Sequence, residues 1–354
     1  MALAASTRRT LFGAAIHSAF VAAACIAVMA LAAASHIPAA AQTRTDRFEL
    51  RSEPRVSLYH FLIDWAHADA GEWPFYATPI AERATWRILL SDEEAAVWSA
   101  ALEAYAGIVG RSRVFDEGLI ALRDFAAGGP GDDVRPADRP MADAIEAALP
   151  VYVARWWPAH RVRNDAWIGD LAAVLDSLEE AATLRIAAAY GVDWPDGRIP
   201  VDVVPYANDV GAYSTDGRIT IASADPAGVM PLAVETILHE ASHVDALEAP
   251  LRTAVEEAFR RAGGEPPERL WHDLIFYTAG EVTGIVLEER GMPGYIHYGE
   301  ATGVYRRGDR WGTQLPAFDA HWRPFLRSAR QDEASRRAAL DAIAGALLDG
   351  SAGS

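Results

Sequence analysis

The chain has no lysine, and all 32 of its basic residues are arginine. It has one cysteine, Cys25, close to the N-terminus. That excludes a disulfide framework and a cysteine-ligated zinc. Once the leader that carries Cys25 is removed, no thiol nucleophile is left either. Any metal site must therefore be built from histidine and carboxylate. There is no glycine-rich phosphate loop, no Walker pattern and no dinucleotide fingerprint. Ser242 lacks the flanks of a nucleophile elbow, which disfavours a serine hydrolase. No internal repeat runs through the sequence. Positive charge is also scarce: 49 acidic residues outnumber the arginines, for a net charge of −17. A nucleic-acid partner is excluded on that balance, because a phosphate backbone needs a basic face.

What is present is apolar. Hydrophobic residues make up 51% of the 354 positions and charged residues 23%. A disordered chain is excluded, and the length allows one large domain or two ordinary ones.

Residues 1–41 read as a targeting segment. Arg8 and Arg9 form a positive start, an alanine-rich apolar run follows from 11 to 34, and Ala39, Ala40 and Ala41 offer a small-residue cleavage site. Ser6, Thr7, Arg8 and Arg9 with Leu11 and Phe12 resemble a twin-arginine signal. An uncleaved membrane anchor is the other reading, since the run is long enough to span a bilayer. Cleavage after Ala41 leaves 30 arginines against 49 acids, a net of −19, in an exported periplasmic or extracellular protein.

Residues 46–190 read as a helical region. Ser91 and Glu94 are spaced as a capping box. His160 and Asn164 stand beside Trp156, Trp157 and Trp167, a run that reads as core. Residues 195–327 change character. A β-branched stretch at 199–204 and a hairpin over 213–221, turning at Asp216 and Gly217, predict a small antiparallel sheet. Helices are expected over 230–247, 251–261 and 268–290, and a last one over 328–348. The fold class is α+β, mostly helical.

The chemistry is concentrated at His239, Glu240, Ala241, Ser242 and His243, an H-E-x-x-H pattern. Residues four apart share one helix face, so two imidazoles can reach one ion. Glu240 then stands beside the open coordination position, where it can take a proton from a metal-bound water. With ten histidines in the chain, the pattern arises by chance about 0.02 times. Two residues of the following helix can complete the site. Glu281 lies among apolar neighbours between Gly280 and Gly284, and His272 lies near the helix start. Nine residues separate them, about half a turn in azimuth, so only one serves as a ligand.

Over residues 199–289 the chain resembles the zincin metallopeptidases. The resemblance implies an edge strand before the motif helix, here at 218–223, along which an extended peptide pairs. It departs from the metzincins, which place glycine and a third histidine soon after the motif; here Asp245, Glu248 and Pro250 follow. The third ligand then falls on the later helix, as in the gluzincins, and that analogy selects Glu281 and leaves His272 to line the cleft. His272, Tyr277, Tyr295, Tyr298 and Tyr305 are candidate oxyanion donors, with Tyr298 ranked first for its place in a loop after the third-ligand helix. The expected protein is an exported hydrolase binding one Zn²⁺ per chain and acting on a peptide or protein. The alternative is a zinc-binding pseudoenzyme or periplasmic binding protein without catalysis.

Overall fold

The computed structural model describes residues 41–71, 80–108, 110–207, 211–225 and 228–352. Residues 1–41, expected to be a targeting segment, lie outside the described residues apart from Ala41. Among them, no helix is long and apolar enough to cross a membrane.

The architecture is α+β and dominated by helix. The first helix, α1, is Pro54–Asp69, with proline at its first position, where the missing N–H costs nothing. Next come α2 (Asp92–Tyr105), α3 (Glu117–Ala126), α4 (Arg139–Arg155) and the 34-residue α5 (Trp157–Tyr190). The capping box forms at α2 as the spacing predicts. Glu94 N donates to Ser91 Oγ at 3.3 Å, and Ser91 N donates to Glu94 Oε2 at 2.9 Å. The later helices are α6 (Leu232–Ala241), α7 (Asp245–Arg261), α8 (Leu270–Glu289), α9 (Asp309–Ala317) and α10 (Glu333–Ala352). A π turn, Phe318–Trp322, carries α9 into the short helix Arg323–Arg327.

The sheet corrects three expectations. It is mixed rather than antiparallel, with five strands in the order β1 (Ala41–Arg44), β2 (Phe48–Ser52), β3 (Ile199–Val204), β5 (Arg218–Ala222), β4 (Ala212–Thr215). β2 and β5 both run parallel to β3, so β5 is interior and β4 is the edge. The expected edge at 218–223 is therefore displaced by one strand. Ile219 and Ile221 are buried with Thr220 between them, and such burial on both faces suits an interior position. Residues 46–190 are not helical throughout, because β2 joins the sheet. Its period-2 burial, with Phe48, Leu50 and Ser52 inward, marks a strand.

Two cores result. Val201, Val203, Ile219 and Ile221 pack with α5 and the helices after residue 230. The alternate positions Val204 and Ala222 meet Val56 of α1. A second cluster, rich in tryptophan and tyrosine, is built by residues 58–157 with Tyr206. His160 and Asn164 lie in the core, as the tryptophan run implies. Asn164 donates to Ser52 Oγ at 2.9 Å, and His160 bonds Tyr152 at 2.9 Å and Glu82 at 2.8 Å.

Candidate metal centre

The motif helix ends inside the motif. A single helix over 230–247 was expected, followed by another over 251–261. Instead α6 stops at Ala241, Val244 turns extended (ψ 130°), and α7 begins at Asp245 with Pro250 inside it. Local bonding explains the stop. Ser242 Oγ donates to Leu238 O at 2.8 Å and lies 3.1 Å from Tyr190 Oη. His243 N and Val244 N reach only three residues back, to Glu240 O and Ala241 O, which tightens the last turn. A helix C-terminus carries partial negative charge and favours a cation.

The tightened turn still brings the two imidazoles together: His243 Nε2 stands 3.3 Å from His239 Nε2. The third member of the group is His272, from the first turn of α8. One ligand atom from each of the three histidines lies within 4.8 Å of the others. The His272 ring stacks on His243 at 5.2 Å between centroids and meets His239 at 5.3 Å. The His243 and His272 side chains keep 17% and 22% of their exposure, which leaves the cluster open to solvent. Burial, reinforced by the neighbouring imidazoles, holds His239 well below the usual histidine pKa. Burial also lowers His272. Neutral imidazole is the form that binds a metal.

Glu281, expected as the third ligand, is engaged elsewhere. Arg323 Nε donates to it at 2.5 Å, Arg327 Nε at 3.4 Å, and His297 Nε2 lies 3.5 Å away. A buried carboxylate needs either an ion or a cationic partner, and this one has the partner. The reason lies in how the helices are set. α6 and α8 run antiparallel, with His239 beside His272 and Phe276, and Glu235 beside Gly280. Nine residues place Glu281 roughly 13 Å further along α8, level with Glu235 rather than with His239.

Glu240 is 7% exposed. Ser214 Oγ of the edge strand β4 lies 2.7 Å from Glu240 Oε2 and 2.9 Å from its backbone O. Burial raises the Glu240 pKa, opposed by His243 and by the bond from Ser214. Tyr298 opens the short helix Tyr298–Ala301, and its ring meets Phe276 at 6.0 Å, which in turn meets His239 at 5.2 Å. Its phenol pKa is raised by burial and by Asp225, Glu235 and Glu240. Of the other tyrosines, Tyr277 donates to Asp319 at 2.5 Å and Tyr295 to Glu235 at 2.5 Å. The buried Tyr305 hydroxyl has no hydrogen-bond partner.

Sequence reasoning missed four participants: Ser214, Glu235, Glu248 and Asp273. Glu248 Oε2 lies 2.8 Å from His243 Nδ1, which turns the other ring nitrogen, Nε2, toward His239. On an unbroken helix, residues five apart point about 140° away from each other. Only the break at Val244 lets this pair meet. Asp273, fully buried, lies 3.8 Å from His272 Nδ1 and 3.3 Å from Arg310 Nη2.

No family model, curated protein or solved structure matches the chain at a significant level. The donor set fits a zinc ion. Three imidazoles converge on one point, with His243 Nε2 3.3 Å from His239 Nε2, and among the described residues no carboxylate joins the group. Three histidines with an open fourth position are a catalytic zinc arrangement.

Proposed function

We propose that the protein is a zinc-dependent hydrolase of zincin type acting on peptide bonds, with His239, His243 and His272 as the ligands. The observation that carries this reading is the convergence of three imidazoles beside Glu240, itself fixed by the edge strand. When bound, the ion supplies Lewis acidity, polarising a substrate carbonyl and acidifying water. Glu240, anchored by Ser214, accepts a proton from the attacking water and passes it to the departing amine. Tyr298 donates a hydrogen bond to the oxygen on which negative charge develops. β4, at the edge of the sheet among the described residues and next to α6, supports an extended peptide as the substrate. Export, supported by the pattern of residues 1–41, belongs to the same proposal.

Elemental mass spectrometry of the purified protein tests the reading. About one zinc per chain is expected, lost in His243→Ala and His272→Ala and kept in Glu281→Gln. Peptide-library cleavage should then disappear in Glu240→Ala with zinc retained. A protein that takes up no metal after reconstitution would sink the proposal.

A further inference from the structure

Glu235 lies on α6 four residues ahead of His239, so it faces the same groove one turn away. It is 2% exposed. Its hydrogen bonds come from neither helix. Both donors belong to the segment 295–298: Tyr295 Oη at 2.5 Å and the backbone N of Tyr298 at 2.8 Å, each onto Oε2. Oε1 accepts no hydrogen bond and packs against Gly280, where an added Cβ would come within 3.0 Å of it. The segment is also held through His297, whose ring meets Tyr277 at 6.0 Å and Tyr305 at 6.4 Å. His297 Nδ1 would stand 2.8 Å from the same added Cβ, so only glycine at 280 lets the segment lie this close to α8. A residue that merely filled space here would be better apolar, since a buried carboxylate is costly. A carboxyl oxygen accepts both bonds to the segment, which no apolar side chain could do.

We infer that Glu235 is a positioning residue for the reaction at the histidine cluster: it ties the 295–298 segment to the motif helix and so sets where the Tyr298 phenol stands relative to Glu240. This rests on the hydrolase reading above. Tyr298 follows directly from the bonded backbone N, and its ring bridges through Phe276 to His239. Glu235 touches no substrate and acts through Tyr298.

The test uses the zinc-loaded full chain with Glu235→Ala, Glu235→Gln, Tyr298→Phe and the double variant Glu235→Ala/Tyr298→Phe. Zinc content, amide hydrogen exchange over 295–301, and kcat and KM on a cleaved peptide are measured. In Glu235→Ala we expect zinc retained, exchange at Tyr298 faster by roughly 10-fold, kcat down about 100-fold and KM within about threefold. Glu235→Gln keeps an acceptor and should recover most of the loss. The double variant should be no slower than Tyr298→Phe alone, because residues acting as a unit are not additive. Tyr295→Phe, which removes one bond of the two, serves if Glu235→Ala does not fold, and should show the same changes at smaller size. Unchanged exchange at Tyr298 in a zinc-loaded Glu235→Ala overturns the inference alone, as does a kcat loss that multiplies with Tyr298→Phe. A zinc-free wild type overturns the hydrolase reading, and this inference with it.

Discussion

At one end of the antiparallel α6–α8 pair, three imidazoles face one another. At the other end, two carboxylates face a hydroxyl, two guanidiniums and a backbone N–H. Both ends lie between the same two helices. Glu281 is met by Arg323 and Arg327, and Glu235 by Tyr295 and Tyr298. At the histidine end, His239 Nε2 and His243 Nε2 sit 3.3 Å apart, and among the described residues no acid joins the group of three. The carboxylate end carries its own partners. The histidine end lies at a helix C-terminus, where a cation is favoured.

The comparison breaks most completely through the ligands. His239→Ala, His243→Ala or His272→Ala should abolish zinc binding, whereas Glu281→Gln should not. Zinc at about a thousandfold over its Kd adds about 4 kcal/mol to the folded state. Chelator should therefore lower the melting temperature of wild type by several degrees and leave that of His272→Ala unmoved. Differential scanning calorimetry with and without chelator reads this directly. A Glu281→Gln variant that lost its zinc, with His272→Ala keeping it, would reverse the assignment of the two ends.

The next effect is catalytic. Glu240→Gln keeps the hydrogen bond to Ser214 and removes the proton acceptor. Turnover should fall by about 10²–10⁴ with zinc content unchanged, as read by kcat on a cleaved peptide beside elemental analysis. A smaller effect separates binding from orientation. Glu248→Ala leaves all three ligands in place but frees the His243 ring, so zinc affinity should fall about 10–100-fold in a competition titration against a chromophoric chelator. An affinity equal to wild type would mean that the ring is held by its packing against His272 and Trp271 alone.

Much of this contrast was legible in the sequence, and the rest was hidden for definite reasons. The motif spacing predicts that His239 and His243 meet, as they do at 3.3 Å, and the capping box and the Asp216 and Gly217 turn form as read. Choosing between His272 and Glu281 needed the axial offset of α8 against α6, which no local pattern encodes. Rotation around α8 shows that the two residues cannot share a site, but not which of them lies level with His239. The burial-cost argument for Glu281 was sound, yet its partners, Arg323 and Arg327, come from a helix 42 and 46 residues later. The edge strand was misplaced by one because β5 pairs with β3 in parallel and carries β4 on its other side, an order the hairpin alone does not encode; β2 was missed because its partner strand β3 lies about 150 residues later. Glu248 escaped notice because the break at Val244, set by the Ser242 bonds, changes which residues can meet.

A last effect, read as a pH dependence, distinguishes the two buried carboxylates themselves. Glu281 sits beside two guanidiniums, whereas the hydrogen-bonding partners of Glu235 are neutral. Burial pushes the Glu235 carboxyl up to about 7, against the bonds from Tyr295 and Tyr298 and with the charge of Glu281 adding to the rise. In the unfolded chain the same group titrates near 4.5. Between those two values the native state holds a proton that the unfolded state has released. Stability therefore falls as pH rises through this window, by at most about 3 kcal/mol. The sign is opposite to that of an ordinary ion-paired carboxylate, whose contribution grows with pH over its own window. Glu235→Gln keeps an acceptor for the 295–298 segment and cannot ionise. Urea unfolding of the zinc-free proteins at pH 5 and pH 7.5 should show wild type losing stability relative to Glu235→Gln at the higher pH. If the two proteins change in parallel, the Glu235 carboxyl is already ionised at pH 5. The contrast between a carboxylate met by cations and one met only by neutral donors would then have no energetic consequence.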